Sequence, residues 1–353
     1  MKRARVTFAA LVLCSGPIRG ATAGELRGRI LADEKPVAGA TVAAVPFESS
    51  FEEARRDARR GEPPKPLATT TTRPDGTWVL TLAPPAAPRD GAALVRLKVS
   101  GGGTAPTLLE SVFDAALSAD AGDATVAKAA TLAGKVVDAR GGPVVAATVT
   151  LVGGGGGGPF VRAGSSQVPM VATTGADGTF RFTEAAVGSR LRVEAPGFAT
   201  TEVGTGAGGA LHKPISLVLG RALSVQVLKE DRRTPAGGAL VRFEGHASTR
   251  WFETRADGTA LIDGVPPEAG ALIADAGDKG RGTATLEAGA SRGTVALAPT
   301  ASLKGRVVDS ATGAPIPRIR VEARSDGAVF LARSGPDGRY EIRALPARVY
   351  RLS

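Results

Sequence analysis

The chain has 353 residues, with 44 lysines and arginines against 34 aspartates and glutamates and a formal net charge of +10. Two histidines and a single cysteine exclude a disulfide framework and a structural zinc domain built on clustered Cys and His ligands. Aromatic residues make up 4% of the chain and the charges are interspersed, which excludes the basic and aromatic platform of a nucleic-acid binder.

Residues 1–23 read as a secretory signal peptide. Lys2, Arg3 and Arg5 form a basic start, Val6 to Leu13 is a short apolar run, and Ala21-Thr22-Ala23 offers a small-residue cleavage site before Gly24. Eight apolar-rich residues are too few to span a bilayer. The expectation is an exported chain, extracellular or periplasmic, with no transmembrane segment in its mature part. Cys14 follows Leu13, a poor match to a lipobox, so lipid anchorage through Cys14 is the minor alternative. Removal of the four basic residues of this leader lowers the net charge from +10 to +6. Asparagine is absent, so no N-glycosylation sequon exists.

From Gly24 onward one pattern returns four times. Each copy opens on an alternating strand: Leu26 to Ile30, Leu132 to Val136, Leu223 to Val227 and Leu303 to Val307. Period-two alternation marks a strand with one buried face. A proline follows, Pro36, Pro143, Pro235 or Pro315, and is expected at the entrance of a second strand ending near Val42, Val149, Val241 and Val321. In the first copy the stretch Ser50 to Arg60 predicts a short helix, with Ser50 and Glu53 as a capping box. The second copy has the flexible run Gly153 to Gly158 in the same place.

Asp75-Gly76, Asp177-Gly178, Asp257-Gly258 and Asp337-Gly338 come next, spaced by 102, 80 and 80 residues. Each is expected to close a tight hairpin of the primed type. Two positions beyond each glycine stands a core aromatic, Trp78, Phe180 or Tyr340; the third copy has Ala260. A period of this length is the size of a small β-domain rather than of a solenoid repeat. Six or seven short strands per copy argue a sandwich. The expected units are 24–128 with a helical insertion near 50–60, 129–220, 221–300 and 301–353. The last stops within its final predicted strand, so it is expected to be truncated, as in a fragment of a longer protein.

These residues resemble the carboxypeptidase regulatory-like domain, a prealbumin-like β-sandwich. The likeness rests on Gly134 to Asp138, Pro143-Val144, Thr173 to Phe180 and Ala195 to Phe198, and again on Gly305 to Asp309, Pro315-Ile316 and Pro336 to Tyr340. It implies an all-β, tandem array of four prealbumin-like (Ig-like) β-sandwich domains, the last one incomplete. The third copy departs from it, with Val225 for the strand glycine and Ala260 for the aromatic. The shared motif is a folding motif and carries no active site.

Little in the chain suggests catalysis. Neither His212 nor His246 begins the His-x-x-Glu zinc motif of the peptidases in which this domain occurs, and both are expected in surface loops. No Gly-x-Ser-x-Gly elbow and no cysteine nucleophile remain after the leader. Asp120 to Asp123 and Asp275 to Asp278 read as Asx-type turns rather than calcium loops. No metal site and no cofactor are expected. Arg55-Arg56 and Arg59-Arg60, interleaved with Glu52, Glu53 and Asp57, could touch an anionic polymer, but read first as a solvated helix face. For carbohydrate the candidates are Trp251 and Phe252: by alignment to Asp-Gly, Trp251 is expected in the core and Phe252 on the opposite face, read first as a domain or sheet contact covered by a neighbour and, as the alternative, as an exposed stacking platform. The expected function is a non-catalytic scaffold, spacer or adhesion module of a bacterial-type envelope, with a polysaccharide or cell-surface protein as partner. The alternatives are a carbohydrate-binding protein and an accessory region of a larger exported peptidase.

Overall fold

The computed structural model describes residues 24–83, 94–152, 166–205, 211, 213–317, 319–325, 328–335, 337–345 and 349–352. Residues 1–23 with Cys14, the glycine run 153–158 and His212 lie outside the described residues.

The chain begins with β1 (Gly24–Ala32), β2 (Lys35–Pro36), β3 (Ala40–Pro46), helix α1 (Ser50–Ala58), β4 (Ala68–Thr71), β5 (Thr77–Leu82), β6 (Leu94–Gly101), β7 (Thr104–Asp114) and β8 (Ala119–Thr125). It continues with β9 (Ala130–Asp138), β10 (Thr148–Val152), β11 (Ser166–Gln167), β12 (Met170–Thr173), β13 (Thr179–Ala185), β14 (Arg190–Glu194), β15 (Thr201–Gly204) and β16 (Ile215–Leu217). Then come β17 (Arg221–Leu228), β18 (Leu240–Glu244), β19 (Phe252–Glu253), β20 (Thr259–Val265), β21 (Gly270–Asp275), β22 (Arg281–Leu286) and β23 (Arg292–Ala296). The last group is β24 (Ala301–Arg306), β25 (Arg320–Ser325), β26 (Ala328–Arg333), β27 (Arg339–Leu345) and β28 (Arg351–Leu352).

The strands form pairs of facing sheets, each pair closed over its own core. The first pair is β2-β1-β5, with β8 beside β1, over β11-β7-β6-β3-β4. The second is β13-β9-β16 over β12-β10-β14-β15, the third β20-β17-β23 over β19-β18-β21-β22, and the fourth β24-β27 over β26-β25-β28. Inward residues alternate along each strand as a sandwich requires: Trp78, Leu80 and Leu82 of β5 are buried while Val79 faces out. Separate clusters form around Leu26 and Trp78, around Leu132 and Phe180, around Leu223 and Phe243, and around Val321 and Ile342.

In the first three sandwiches the opening strand pairs in parallel with the closing one, β1 with β8, β9 with β16 and β17 with β23. In the second, this brings Ile215 and Leu217 over the core. Among the described residues of the fourth, β24 has β27 alone beside it. Leu303, Val307 and Tyr340 are accordingly half-buried where their counterparts Leu132, Val136 and Phe180 are buried.

Three local readings of the sequence are corrected. The prolines sit on the opening strand, not at the entrance of the next: Leu31 pairs with Pro36, Val137 with Pro143, Leu228 with Pro235 and Val308 with Pro315. The residue after each proline donates its N–H back to that strand, as Val144 does to Val136 O at 3.0 Å. The helix is capped by Ser49, one residue early, with Glu52 completing the box. Ser49 with Glu52 has the same i, i+3 spacing as Ser50 with Glu53, and the helix uses the first pair.

The Asp-Gly pairs do not close hairpins within one sheet. Each lies at a corner where the chain crosses between facing sheets, from β4 to β5, β12 to β13, β19 to β20 and β26 to β27. Only the glycine has positive φ, 78° at Gly76, 77° at Gly178, 74° at Gly258 and 76° at Gly338. A turn ending in a left-handed glycine is the type I plus bulge form, not the primed one. The glycine carbonyl then accepts from the opening strand, for example from Val136 N at 2.9 Å, and a Cβ on Gly178 would lie 2.5 Å from Val136 O. In the first three corners the aspartate Oδ1 accepts from both the N–H and the hydroxyl of the following threonine, Thr77, Thr179 or Thr259. These bonds hold the carboxyls of Asp75, Asp177 and Asp257 below the usual carboxylate range.

The departures in the third copy are one event, not two. Gly28 lies directly across from Trp78, Gly134 from Phe180 and Gly305 from Tyr340 in the strand register, and Val225 lies across from Ala260. Each pair therefore shares one volume. A Cβ on Gly134 would approach Phe180 Cζ to 2.7 Å and Leu211 Cδ1 to 2.6 Å. Where the ring is absent, the glycine is free to become valine.

Candidate functional site

The residues expected to carry chemistry are dispersed. His246 is exposed in the loop between β18 and β19. Among the described residues no group of three or more His, Cys, Asp or Glu could hold a metal ion. Asp120 and Asp123 pair with Arg27 and Arg29 of the neighbouring strand. Asp275 is buried against Arg281, 3.1 Å away. Its Oδ1 accepts from Gly277 N at 2.7 Å. Burial pushes the Asp275 carboxyl above its ordinary range, with Arg281 opposing the shift.

Charged groups converge instead where helix α1 meets the third sandwich. Arg59, at the helix C-cap, forks onto Glu253 of β19 with Nε–Oε2 at 2.7 Å and Nη2–Oε1 at 2.8 Å. Arg55 approaches the same carboxylate at 4.0 Å and stacks on Phe51, 4.5 Å from the ring centroid. Arg56 turns back to Glu48 at 3.0 Å, and Asp57 faces Arg192 of the second sandwich at 3.9 Å. Of the four arginines expected on a solvated helix face, Arg55 and Arg59 therefore reach the third sandwich, whereas Arg56 pairs within its own unit and Arg60 is exposed. Glu253 is held below the usual glutamate range chiefly by its hydrogen bond with Arg59.

Beside this contact is a cleft of about 270 Å³. Arg59, Arg250 and Arg255 stand around it, and Phe252, Ala260 and Leu261 contribute its apolar lining. Arg250 lies over the Phe252 ring at 4.0 Å, and its Nη1 reaches the carbonyls of Trp251 at 3.3 Å and Ala58 at 3.5 Å.

The orientation of the aromatic pair is the reverse of that expected. Phe252 is 9% exposed and belongs to the core of the third sandwich. Trp251 is half-buried, with the Arg242 guanidinium 4.6 Å from its ring centroid. The alignment itself was sound. Val171, the counterpart of Trp251, is 65% exposed, so this column faces outward although it is apolar. Phe252, packed inward and covered by Arg250, is not a free stacking platform. Trp78 and Phe180 are buried, and Tyr340 is half-buried. Sequence reading missed Arg250, Arg255 and Glu253, because charge pairing over such separations leaves no local pattern.

Sandwich follows sandwich with repeated turn chemistry and an inserted helix bridging two of them, which defines a tandem β-sandwich protein. The family described as "Carboxypeptidase regulatory-like domain" matches residues 131–218 and 302–353, within the second and fourth sandwiches. No relative was found among curated proteins. Among solved structures, a streptococcal ancillary pilin aligns at 12% identity, covering 79% of this chain and all of that one, with a TM-score of 0.19. The shaft pilin SpaA of Lactobacillus rhamnosus GG aligns at 11% identity over 79% and 98% of the two chains, TM-score 0.22. The Bacillus anthracis TIE protein aligns at 10% identity over 89% and 65%, TM-score 0.19. No helix among the described residues is long and apolar enough to cross a membrane.

Proposed function

We propose that this chain is an exported, non-catalytic scaffold of the cell envelope or its surroundings, acting as a spacer or adhesion module whose sandwiches keep a fixed relation. The observation that carries this reading is the use of inserted segments to join sandwiches. Helix α1, inserted between β3 and β4, grips Glu253 of the third unit through Arg59. β11, inserted between β10 and β12, adds to β7 of the first sandwich, and Val168 N donates to Pro106 O at 2.8 Å. Thr200 N donates to Gly264 O at 2.8 Å, linking second to third. Arg281 of the third lies 5.5 Å from the Phe330 ring of the fourth. Intrachain units joined by flexible linkers move by default; contacts of this kind oppose that.

The test has two readings. Intact mass of the chain recovered outside the cytoplasm should correspond to a start at Gly24; retention of the whole chain inside the cell would overturn the envelope assignment. Small-angle scattering should give one compact-array profile, and replacing 49–60 by a Gly-Ser segment should broaden it. An equally broad profile for the unaltered chain would overturn the scaffold of fixed geometry.

A further inference from the structure

We infer that the cleft between helix α1 and the third sandwich is a binding site for a uronic acid residue of an acidic glycan. Its lining contains three arginines, Arg59, Arg250 and Arg255, and one acid, Glu253, a net charge of +2. Arg59 is already spent on Glu253. Arg250 is half-buried, and among the described residues no carboxylate lies within ion-pair distance of it; its hydrogen bonds go to two backbone carbonyls. Arg255 is exposed and has no ion pair among the described residues. A desolvated guanidinium without a counter-ion is costly to hold. Burial and the charge of Arg60 make Arg250 hold its proton less tightly, and Glu194, Asp57 and Asp263 offset this only at longer range. A bound anion relieves that cost.

The shape and the lining narrow the anion. Guanidinium forks match a carboxylate or another oxyanion in bidentate fashion. The apolar lining from Ala260 and Leu261 suits a ligand with a hydrocarbon face beside its charge. The Phe252 ring carries Arg250 at 4.0 Å, so recognition rests on charge and not on stacking, and a neutral sugar gains little. An extended acidic peptide added along the edge of β20 is obstructed, because Gly264 O on that edge is already bonded to Thr200 of the second sandwich. A compact ring with one carboxylate needs no such edge.

Titration calorimetry on the whole chain tests this with trigalacturonate, its neutral galactose counterpart and inorganic phosphate. The expected result is saturable binding of trigalacturonate, weakened by salt and at least about tenfold tighter than binding of the other two probes. Loss of one charge-assisted hydrogen bond in Arg250→Ala or Arg255→Ala should weaken it about tenfold or more. Arg306→Ala, on the fourth sandwich, should leave it unchanged. Arg255 is exposed, so its variant should keep the unaltered circular dichroism spectrum even if the Arg250 variant does not. Absence of binding, phosphate bound as tightly as the uronate, or a folded Arg255→Ala variant that binds as well as the unaltered chain would each overturn the inference.

Discussion

If Gly134 and Phe180 share one volume, exchanging them for the pair found in the third sandwich should rescue what either change destroys. Phe180 is 5% exposed and packs in the core of the second sandwich. Truncating it to alanine removes the ring and leaves a cavity, at a cost of about 3–5 kcal/mol. Gly134→Val alone brings a Cβ within 2.7 Å of Phe180 Cζ and 2.6 Å of Leu211 Cδ1, closer than carbon atoms approach, and overpacking of this kind costs about 1–3 kcal/mol. If the two effects were independent, the double variant would lose about 4–8 kcal/mol, the sum of those ranges. In the third sandwich Val225 is 1% and Ala260 6% exposed in an intact core, so the double variant should recover much of that loss, with a coupling of at least about 2 kcal/mol. Hydrogen exchange at the β9 and β13 amides reads the opening free energy of this unit without requiring the whole chain to unfold as one. Costs that add to within about 0.5 kcal/mol would refute the shared volume.

Other expectations concern charge. Glu253→Gln should speed exchange at β19 and α1 together while leaving β9 and β13 unchanged. Acid should do the same: the carboxyl is depressed when folded, so its contribution is complete above the ordinary glutamate value and lost as pH falls through the lower folded one. Arg281→Met strands the buried Asp275 and should cost the third sandwich about 3–5 kcal/mol, measured by exchange at β21. Because the folded Asp275 carboxyl is raised, the loss should be smallest below the unfolded value of about 3.9 and grow as pH rises through the folded one. Asp231, which accepts from the Thr234 hydroxyl and from Arg233 N and Thr234 N, is lowered to about 2. A carboxyl-detected titration should find that midpoint, with Thr234→Ala moving it upward; its turn gains stability above about 3.9 that is lost as pH falls through the folded value.

The alternation of Leu26 to Ile30 and its three counterparts was enough to find the opening strands and the sandwich class, because one-sided burial imposes period two directly on the chain. Turn type was not legible. Asp-Gly suits several turns, and whether the aspartate also goes to positive φ depends on the sheet the next strand joins. Ser49 and Glu52 stand at the same spacing as Ser50 and Glu53, so the local pattern that named Ser50 does not separate the two pairs. The Val225 and Ala260 departures were visible, but their opposition in register is a property of pairing between β17 and β20. Trp251 misled because apolarity was equated with burial: Val171 shows that this edge column tolerates an exposed apolar residue, and scattered ones are normal on protein surfaces. Arg59 and Glu253, 194 residues apart, left no sequence signal at all.

The inserted segments have a second consequence. In both the first and second copies the insertion falls between the second strand and the strand before the Asp-Gly corner, beside a sheet edge. α1 and β11 each run from that position to an edge belonging to another sandwich: α1 lies against β19, and β11 pairs with β7. The edge of β20 is met at Gly264 by Thr200. An open edge offers unpaired N–H and C=O groups to any passing strand, and a tandem array multiplies such edges. The contacts that fix the sandwiches relative to one another are thus also the contacts that cover their edges. Under the fixed-geometry scaffold proposed above, rigidity and resistance to edge-to-edge association would share one structural cause, and a change that loosens the array should expose strand edges as it does so.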